Sequence, residues 1–194
     1  KVGRKLSFEP QFRFALTGKP WAIVFWWRYN VVSTNKFRLD LSTNYSFSYK
    51  TITVTTVGEP RELIRTTRYL VGAAAPEYFV NKYFSLGAYI FYSHGIEKFI
   101  TRNTLMLSFR PSLSNIPITK DITARFNPEI YHLSMDDKEG VFFNARLSIN
   151  RNNFPFSLSA MLNKPVKSNI PSEYDLLWNV GLSYTFSNKY IKAR

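Results

Sequence analysis

Apolar and polar residues alternate one by one along most of this chain, most clearly between residues 37 and 49. From Phe37 to Tyr49 every second residue is apolar or aromatic, apart from Thr43. The residues between them are polar or charged, and they include Arg38 and Asp40. Successive side chains of a β-strand point to opposite faces, so this pattern predicts a strand with one apolar and one polar face.

The same alternation recurs down the chain and predicts about ten strands. Their predicted limits are 7–16, 21–32, 37–57, 63–80, 84–94, 105–114, 124–131, 141–150, 154–163 and 176–186. A chain of 194 residues with 45% hydrophobic content is expected to form one domain, 1–194.

Volume decides which face of the strands is inside. Side chains nearly fill the interior of an eight-stranded barrel, so about five large apolar residues on each of about ten strands cannot fit there. The apolar face must therefore point outward, where lipid is the solvent that suits it. We predict an all-β fold, a transmembrane antiparallel up-and-down β-barrel of about ten strands, with eight to twelve compatible.

The connections between the predicted strands agree with this topology, since membrane barrels have short periplasmic turns and longer outer loops. An even strand count places both termini in the periplasm, and an export signal removed upstream is expected because the chain opens almost at its first strand. The short connections are 33–36, 81–83, 116–121 and 152–153, and the outer ones are 17–20, 58–62, 94–103, 134–140 and 162–175.

Two segments carry a resemblance to a known class of protein. The segment from Ala75 to Tyr92 has Pro76, an aromatic pair, a short turn with Asn81 and then Leu-Gly, and the chain nears its end with Val180-Gly-Leu-Ser-Tyr-Thr-Phe186. Both resemble Bacteroidetes-type outer-membrane β-barrel proteins. The resemblance implies integral location in a bacterial outer membrane, contact with its lipid and lipopolysaccharide, and neighbouring envelope proteins as partners.

Prolines recur within the predicted strands, mostly on the apolar side, at Pro10, Pro76, Pro111 and Pro128. A proline inside a strand removes a ladder hydrogen bond. Strand bends that help to close the barrel are the favoured interpretation. A perturbed seam on which a partner chain docks is the alternative.

Charged residues on the polar side are predicted to line the lumen. They fill the interior by pairing with one another, or they form a narrow anion-preferring pore, because rings of arginine select anions. The predicted lumenal residues are Arg13, Arg28, Arg110, Arg125, Arg146, Glu9, Asp40, Glu77 and Glu129.

The formal net charge is +13, which raises the question of nucleic-acid binding. The cations are scattered singly through the strands, so no nucleic-acid partner is predicted. Many of them fall at the predicted periplasmic end, where they contact lipid phosphates or dock an acidic periplasmic partner. This basic rim comprises Lys1, Arg4, Lys5, Lys36, Lys82, Lys120, Arg151, Lys189, Lys192 and Arg194.

Aromatic residues fall near predicted strand ends, where amphipathic rings favour the lipid headgroup level. Trp21 and Trp178 are predicted at the outer interface, and Tyr83, Phe84 and Phe186 at the inner one.

Candidate chemistry is sparse in this sequence. There is no cysteine, so thiolate nucleophiles and thiolate metal sites are excluded. His94 and His132 are the candidate general bases, and His132 precedes Asp136 and Asp137, which leaves an outer-rim hydrolase as the weakest alternative. No catalytic residue, metal or cofactor is predicted. The predicted function is that of a structural or accessory subunit of an envelope complex.

Overall fold

Ten β-strands follow the alternating segments of the sequence. A computed structural model describes residues 5–15, 18–55, 60–152, 154–171 and 175–184, except the side chains of residues 60 and 61. The strands are β1 (Leu6–Phe14), β2 (Pro20–Ser33), β3 (Phe37–Thr55), β4 (Pro60–Phe79), β5 (Phe84–Gly95), β6 (Asn103–Pro117), β7 (Ile122–Met135), β8 (Lys138–Arg151), β9 (Phe156–Ser168) and β10 (Leu177–Tyr184). No helix in these ranges is long and apolar enough to cross a membrane.

Each strand pairs antiparallel with the next one along the chain, in a single sheet of order β1 to β10. This confirms the predicted all-β, up-and-down arrangement of about ten antiparallel strands. The hairpin of β3 and β4 is the longest, with Phe37 opposite Tyr78 at one end and Thr55 opposite Pro60 at the other. Within the described residues β1 makes no contact with β10, so the described sheet has two free edges.

The apolar face of the sheet is the exposed one. Large residues of that face such as Leu41, Ile90 and Leu107 are each more than two-fifths exposed, while Asn44 and Ser108 on the polar face are buried. No large side chain among the described residues is fully buried, because nothing packs against the apolar face. The prediction that the apolar face points outward is confirmed.

The sheet curls so that its polar face is concave. Arg38 of β3 and Arg146 of β8 line the same cavity. In a flat sheet these two strands would lie about 24 Å apart, at ~4.8 Å per strand. We call the concave polar side the inner face and the exposed apolar side the outer face.

The connections separate the two ends of the sheet. We call the end with connections at 34–36, 80–83, 118–121 and 152–155 the turn end, and the opposite end the loop end. Three predicted loops are wrong in part. Residues 162–168 belong to β9, residues 60–62 belong to β4, and residues 134–140 belong to β7 and β8 except for a two-residue turn at Asp136 and Asp137. Asp136 adopts a positive φ of 54°, which lets the chain reverse this tightly.

Candidate functional site

The inner face carries cross-strand ion pairs, and two of the four predicted lumenal carboxylates bind predicted lumenal arginines. Arg28 binds Glu9 at 3.2 Å, and Arg110 binds Glu129 at 2.6 Å. Asp40 accepts a hydrogen bond from the side-chain amide of Asn30 at 2.7 Å. The alternation of the strands places these groups on one face, and the register then decides which of them meet.

Arg38, on the polar face of β3, completes this network. Its guanidinium binds Glu77 at 2.5 Å and Asp40 at 3.2 Å. Glu77 also accepts a hydrogen bond from the hydroxyl of Ser85 at 2.8 Å, which links β3, β4 and β5. Sequence reasoning missed Ser85 because a lone serine on the polar parity gives no signal of its partner.

Three predicted lumenal arginines have no ion-pair partner among the described residues. Arg13 donates to the side-chain oxygen of Gln11 at 2.9 Å, and Arg146 donates to the sulfur of Met161 at 3.5 Å. Arg125 lies exposed on the turn-end side. The inner face therefore carries more positive than negative charge.

Two cavities lie on the inner face. The first, of about 450 Å³, is lined by Arg38, Glu77, Arg110, Glu129, Asn144 and Arg146 among others. The second, of about 460 Å³, lies closer to the turn end and is lined in part by Arg38, Glu77 and Arg125. The first is large enough for a small ligand.

Aromatic residues on the inner face serve as platforms for the arginines. The guanidinium of Arg28 lies 4.9 Å from the ring centre of Trp26, and that of Arg110 lies 4.3 Å from the ring centre of Tyr89. Cation–π contacts of this kind hold the guanidinium groups in place and fill space. These rings and guanidinium groups narrow the space that the inner face encloses. The anion-preferring pore stays a prediction.

The described part of the basic rim lies at the turn end of the sheet. Each of its cations is exposed and has no ion-pair partner within the described residues, and one carboxylate, Asp121, lies among them. These cations are Lys5, Lys36, Lys82, Lys120 and Arg151. The other predicted members, Lys1, Arg4, Lys189, Lys192 and Arg194, lie outside the described residues.

The predicted interface aromatics fall at the ends of the sheet. Trp21 and Trp178 are exposed at the loop end, 61% and 71% respectively. Tyr83 lies in a turn-end connection under the ammonium of Lys82, 4.8 Å away, and Phe84 begins β5 beside it. Phe186 lies outside the described residues.

At the loop end the two histidines have separate polar partners. His132 contacts Glu139 at 3.2 Å, and His94 contacts the amide oxygen of Asn103 at 3.0 Å. Asp136 instead accepts hydrogen bonds from the backbone N–H groups of Asn103 and Arg102. Its carboxylate therefore holds the β5–β6 loop against β7, and the hydrolase hypothesis gains no support from this arrangement.

Hydrogen bonds from neighbouring N–H groups stabilise the ionised form of two loop-end carboxylates. The backbone N–H groups of Asn103 and then Arg102 lower the pKa of Asp136. The backbone N–H of Arg68, followed by its guanidinium, lowers the pKa of Glu97. Both contacts favour the ionised carboxylate and tie the loop at 96–102 to its neighbours.

We expect Asp136→Asn to lower the melting temperature at neutral pH and to matter less as the pH falls. Because folding lowers the pKa of Asp136, its ionised carboxylate stabilises the folded state fully at pH values above the ordinary carboxyl pKa of about 4. This contribution is lost as the pH falls through the pKa that Asp136 has in the folded state. Asparagine tolerates a positive φ, so the change removes the charge without backbone strain.

Melting curves of both proteins from neutral to acidic pH test this expectation. Asp137→Asn, in the same turn, is the control and should show no pH-dependent difference from the wild type. A deficit of Asp136→Asn that stayed constant down to acidic pH would contradict a role for the charge.

Comparisons with protein-family models, curated proteins and solved structures find no match to this chain. Within the described ranges no group of three or more His, Asp or Glu side chains is placed to hold a metal ion.

Proposed function

We propose that the protein is an integral β-barrel of a bacterial outer membrane and acts as a structural or accessory subunit of an envelope complex. The observation that carries this proposal is the exposed apolar outer face. Large apolar side chains left in water over nearly a whole sheet cost free energy and promote aggregation. In lipid the same face is favourable.

The height of the apolar face matches a bilayer. On β3 the outer positions from Phe37 to Phe47, which lies opposite Arg68, span about 33 Å along the strand and about 25 Å along a barrel axis at a tilt near 40°. This run also carries the phenol of Tyr45, and the hydroxyl of Thr43 donates to the carbonyl of Val71 at 2.7 Å. An outer apolar band of a membrane barrel is ~25 Å tall.

Polar groups end the outer apolar band at the loop end. On β4 the apolar run ends at Arg68, which binds Glu97, and on β5 it ends at His94. Charged residues at such a boundary would lie at the level of the lipid headgroups, and Trp21 and Trp178 lie at the same end. Together with the resemblance to Bacteroidetes-type barrels, this supports the outer-membrane location, with both termini in the periplasm and the sheet closed into a barrel.

The subunit role is supported by the contrast between the inner face and the turn end. The inner carboxylates are engaged within the chain, whereas the cations of the basic rim are exposed and lack ion-pair partners in the described part. Unpaired positive charge at one end steers a negatively charged partner toward it. We propose an acidic periplasmic protein as that partner, in addition to the surrounding lipid and lipopolysaccharide.

We expect a rim variant, K36Q/K82Q/K120Q/R151Q, to lose the partner that co-purifies with the wild-type protein from native envelopes. The matched control, K98Q/R102Q/K138Q/K167Q, removes four exposed cations from the loop end and should keep the partner. Both variants should retain the gel shift between unboiled and boiled samples that marks a folded barrel. The partner is identified by mass spectrometry, and its excess of acidic residues is the expected property.

Two outcomes would contradict different parts of the proposal. Equal recovery of the partner with both variants would mean that the basic rim does not bind it. A wild-type protein that is soluble without detergent and shows no heat-dependent gel shift would overturn the membrane barrel itself.

A further inference from the structure

Two prolines face each other across β6 and β7 and delete a complete rung of the ladder. The backbone N–H of Asp136 donates to the carbonyl of Asn103, so rungs at every second residue from that pair exchange two hydrogen bonds. Constant register then places Pro111 opposite Pro128 at such a rung. Neither proline has an N–H, so both hydrogen bonds of the rung are absent.

A second interruption lies on the other side of the same hairpin. The N–H of Ile96 donates to the carbonyl of Arg68, and constant register places Pro76 opposite Ala88 at a bonded rung between β4 and β5. Pairing lapses there as well, whereas β5 and β6 pair without interruption. The β5–β6 hairpin is therefore held more weakly at mid-height on both sides.

Side chains on the inner face replace the missing rung between β6 and β7. Arg110 binds Glu129 on one side of the two prolines, and the hydroxyl of Ser112 donates to the amide oxygen of Asn127 at 2.7 Å on the other side. Side-chain contacts open at lower cost than a continuous backbone ladder. Among the paired strands, this seam is therefore a place where the wall can separate locally.

Spaces of opposite character adjoin this seam. On the inner side lies the 450 Å³ cavity, where Arg146 has no ion-pair partner among the described residues and the buried amide oxygen of Asn144 has no hydrogen-bond partner. On the outer side lies an apolar depression of about 420 Å³ lined by Ile90, Leu107, Phe109 and Ile130. Ala88 lines both spaces.

We propose that these two spaces form one binding site for an anionic, single-chain amphiphile, which enters from the bilayer through the seam between β6 and β7. Its charged head lies in the inner cavity on Arg146, because a guanidinium binds a carboxylate through paired hydrogen bonds. Its alkyl chain lies in the outer depression. The proposal rests on the membrane location proposed above.

The test uses palmitate carrying an alkyl diazirine, with the protein in phosphatidylcholine nanodiscs. Photolabelling of peptides containing Phe109 or Ile130 is expected, and Arg146→Gln should reduce it about tenfold, the effect of losing one charge-assisted contact. Arg125→Gln removes an equally unpaired arginine from the neighbouring cavity and should stay within about twofold of the wild type. The corresponding uncharged diazirine alcohol should label the two variants equally.

A reversible disulfide across the seam tests the route by which the amphiphile enters. The chain has no cysteine, so Ser112→Cys with Asn127→Cys adds a single disulfide across the seam. Closing it should abolish specific labelling, and reduction should restore it. Ser148→Cys with Ser159→Cys, in the uninterrupted part of the β8–β9 ladder, should have no effect.

The outcomes separate the site from the membrane location. Equal labelling of Arg146→Gln and Arg125→Gln would overturn the binding site alone. Labelling that persists when the disulfide between residues 112 and 127 is formed would do the same. A chain that failed to enter nanodiscs would overturn both the site and the location.

Discussion

Leu41→Arg should lower the free energy of unfolding from a bilayer by about 2–4 kcal/mol. Leu41 lies on the outer face near the middle of the apolar run of β3 and is 44% exposed. An arginine there must leave its charge in hydrocarbon or distort the bilayer to reach the headgroups. Denaturant titration of the protein in liposomes, followed by tryptophan fluorescence, gives the value.

Leu113→Arg is the matched control for depth. Leu113 has the same outward orientation and a similar exposure, 37%, but it lies toward the turn end of β6. Leu113→Arg should lower the free energy of unfolding by only about 0–1 kcal/mol, because a charge near the interface reaches the headgroups. If the outer face were in water, both changes would lie within about 0.5 kcal/mol of zero, since exposed substitutions are usually neutral.

The faces of the strands could be predicted from the sequence because a period of two is a local property. The alternation between Phe37 and Tyr49 assigns each side chain to a face, and the volume of a narrow lumen then decides which face is inside. The exposure of Leu41 and the burial of Asn44 agree with that reasoning. The arginines and carboxylates of the inner face were found in the same way.

Contacts across a seam could not be predicted, because register depends on turns and bulges. Pro111 meets Pro128 through the length of the β6–β7 connection and through an irregularity near the end of β6, where Asn115 adopts a positive φ and the register shifts. Each proline alone is a strand irregularity, whereas the two together remove a whole rung. The tight turn at Asp136 was missed for a related reason, since an Asp-Asp pair lacks the usual glycine signal.

The ion pair beside the two prolines should contribute more stability than an equivalent pair in a continuous ladder. Glu129→Gln removes the charge that binds Arg110, and Glu9→Gln does the same for Arg28 on the inner face between β1 and β2. We expect a loss of about 1–2 kcal/mol for Glu129→Gln, below the value for a fully buried pair because Arg110 is two-fifths exposed. Glu9→Gln should cost at most about 0.5 kcal/mol, as for an exposed pair.

Local hydrogen exchange distinguishes a seam effect from a general loss of stability. The Phe109–Ile130 rung flanks the missing one, so the backbone amides of this rung should exchange faster in Glu129→Gln than in the wild type. Their exchange rate in Glu9→Gln should equal that of the wild type. Equal free-energy losses in the two variants, with exchange at Phe109 unaltered, would mean that the Arg110–Glu129 pair does not hold the seam. A selective effect at this rung would instead place the weakest point of the wall where two prolines removed its backbone hydrogen bonds and two side-chain contacts replaced them.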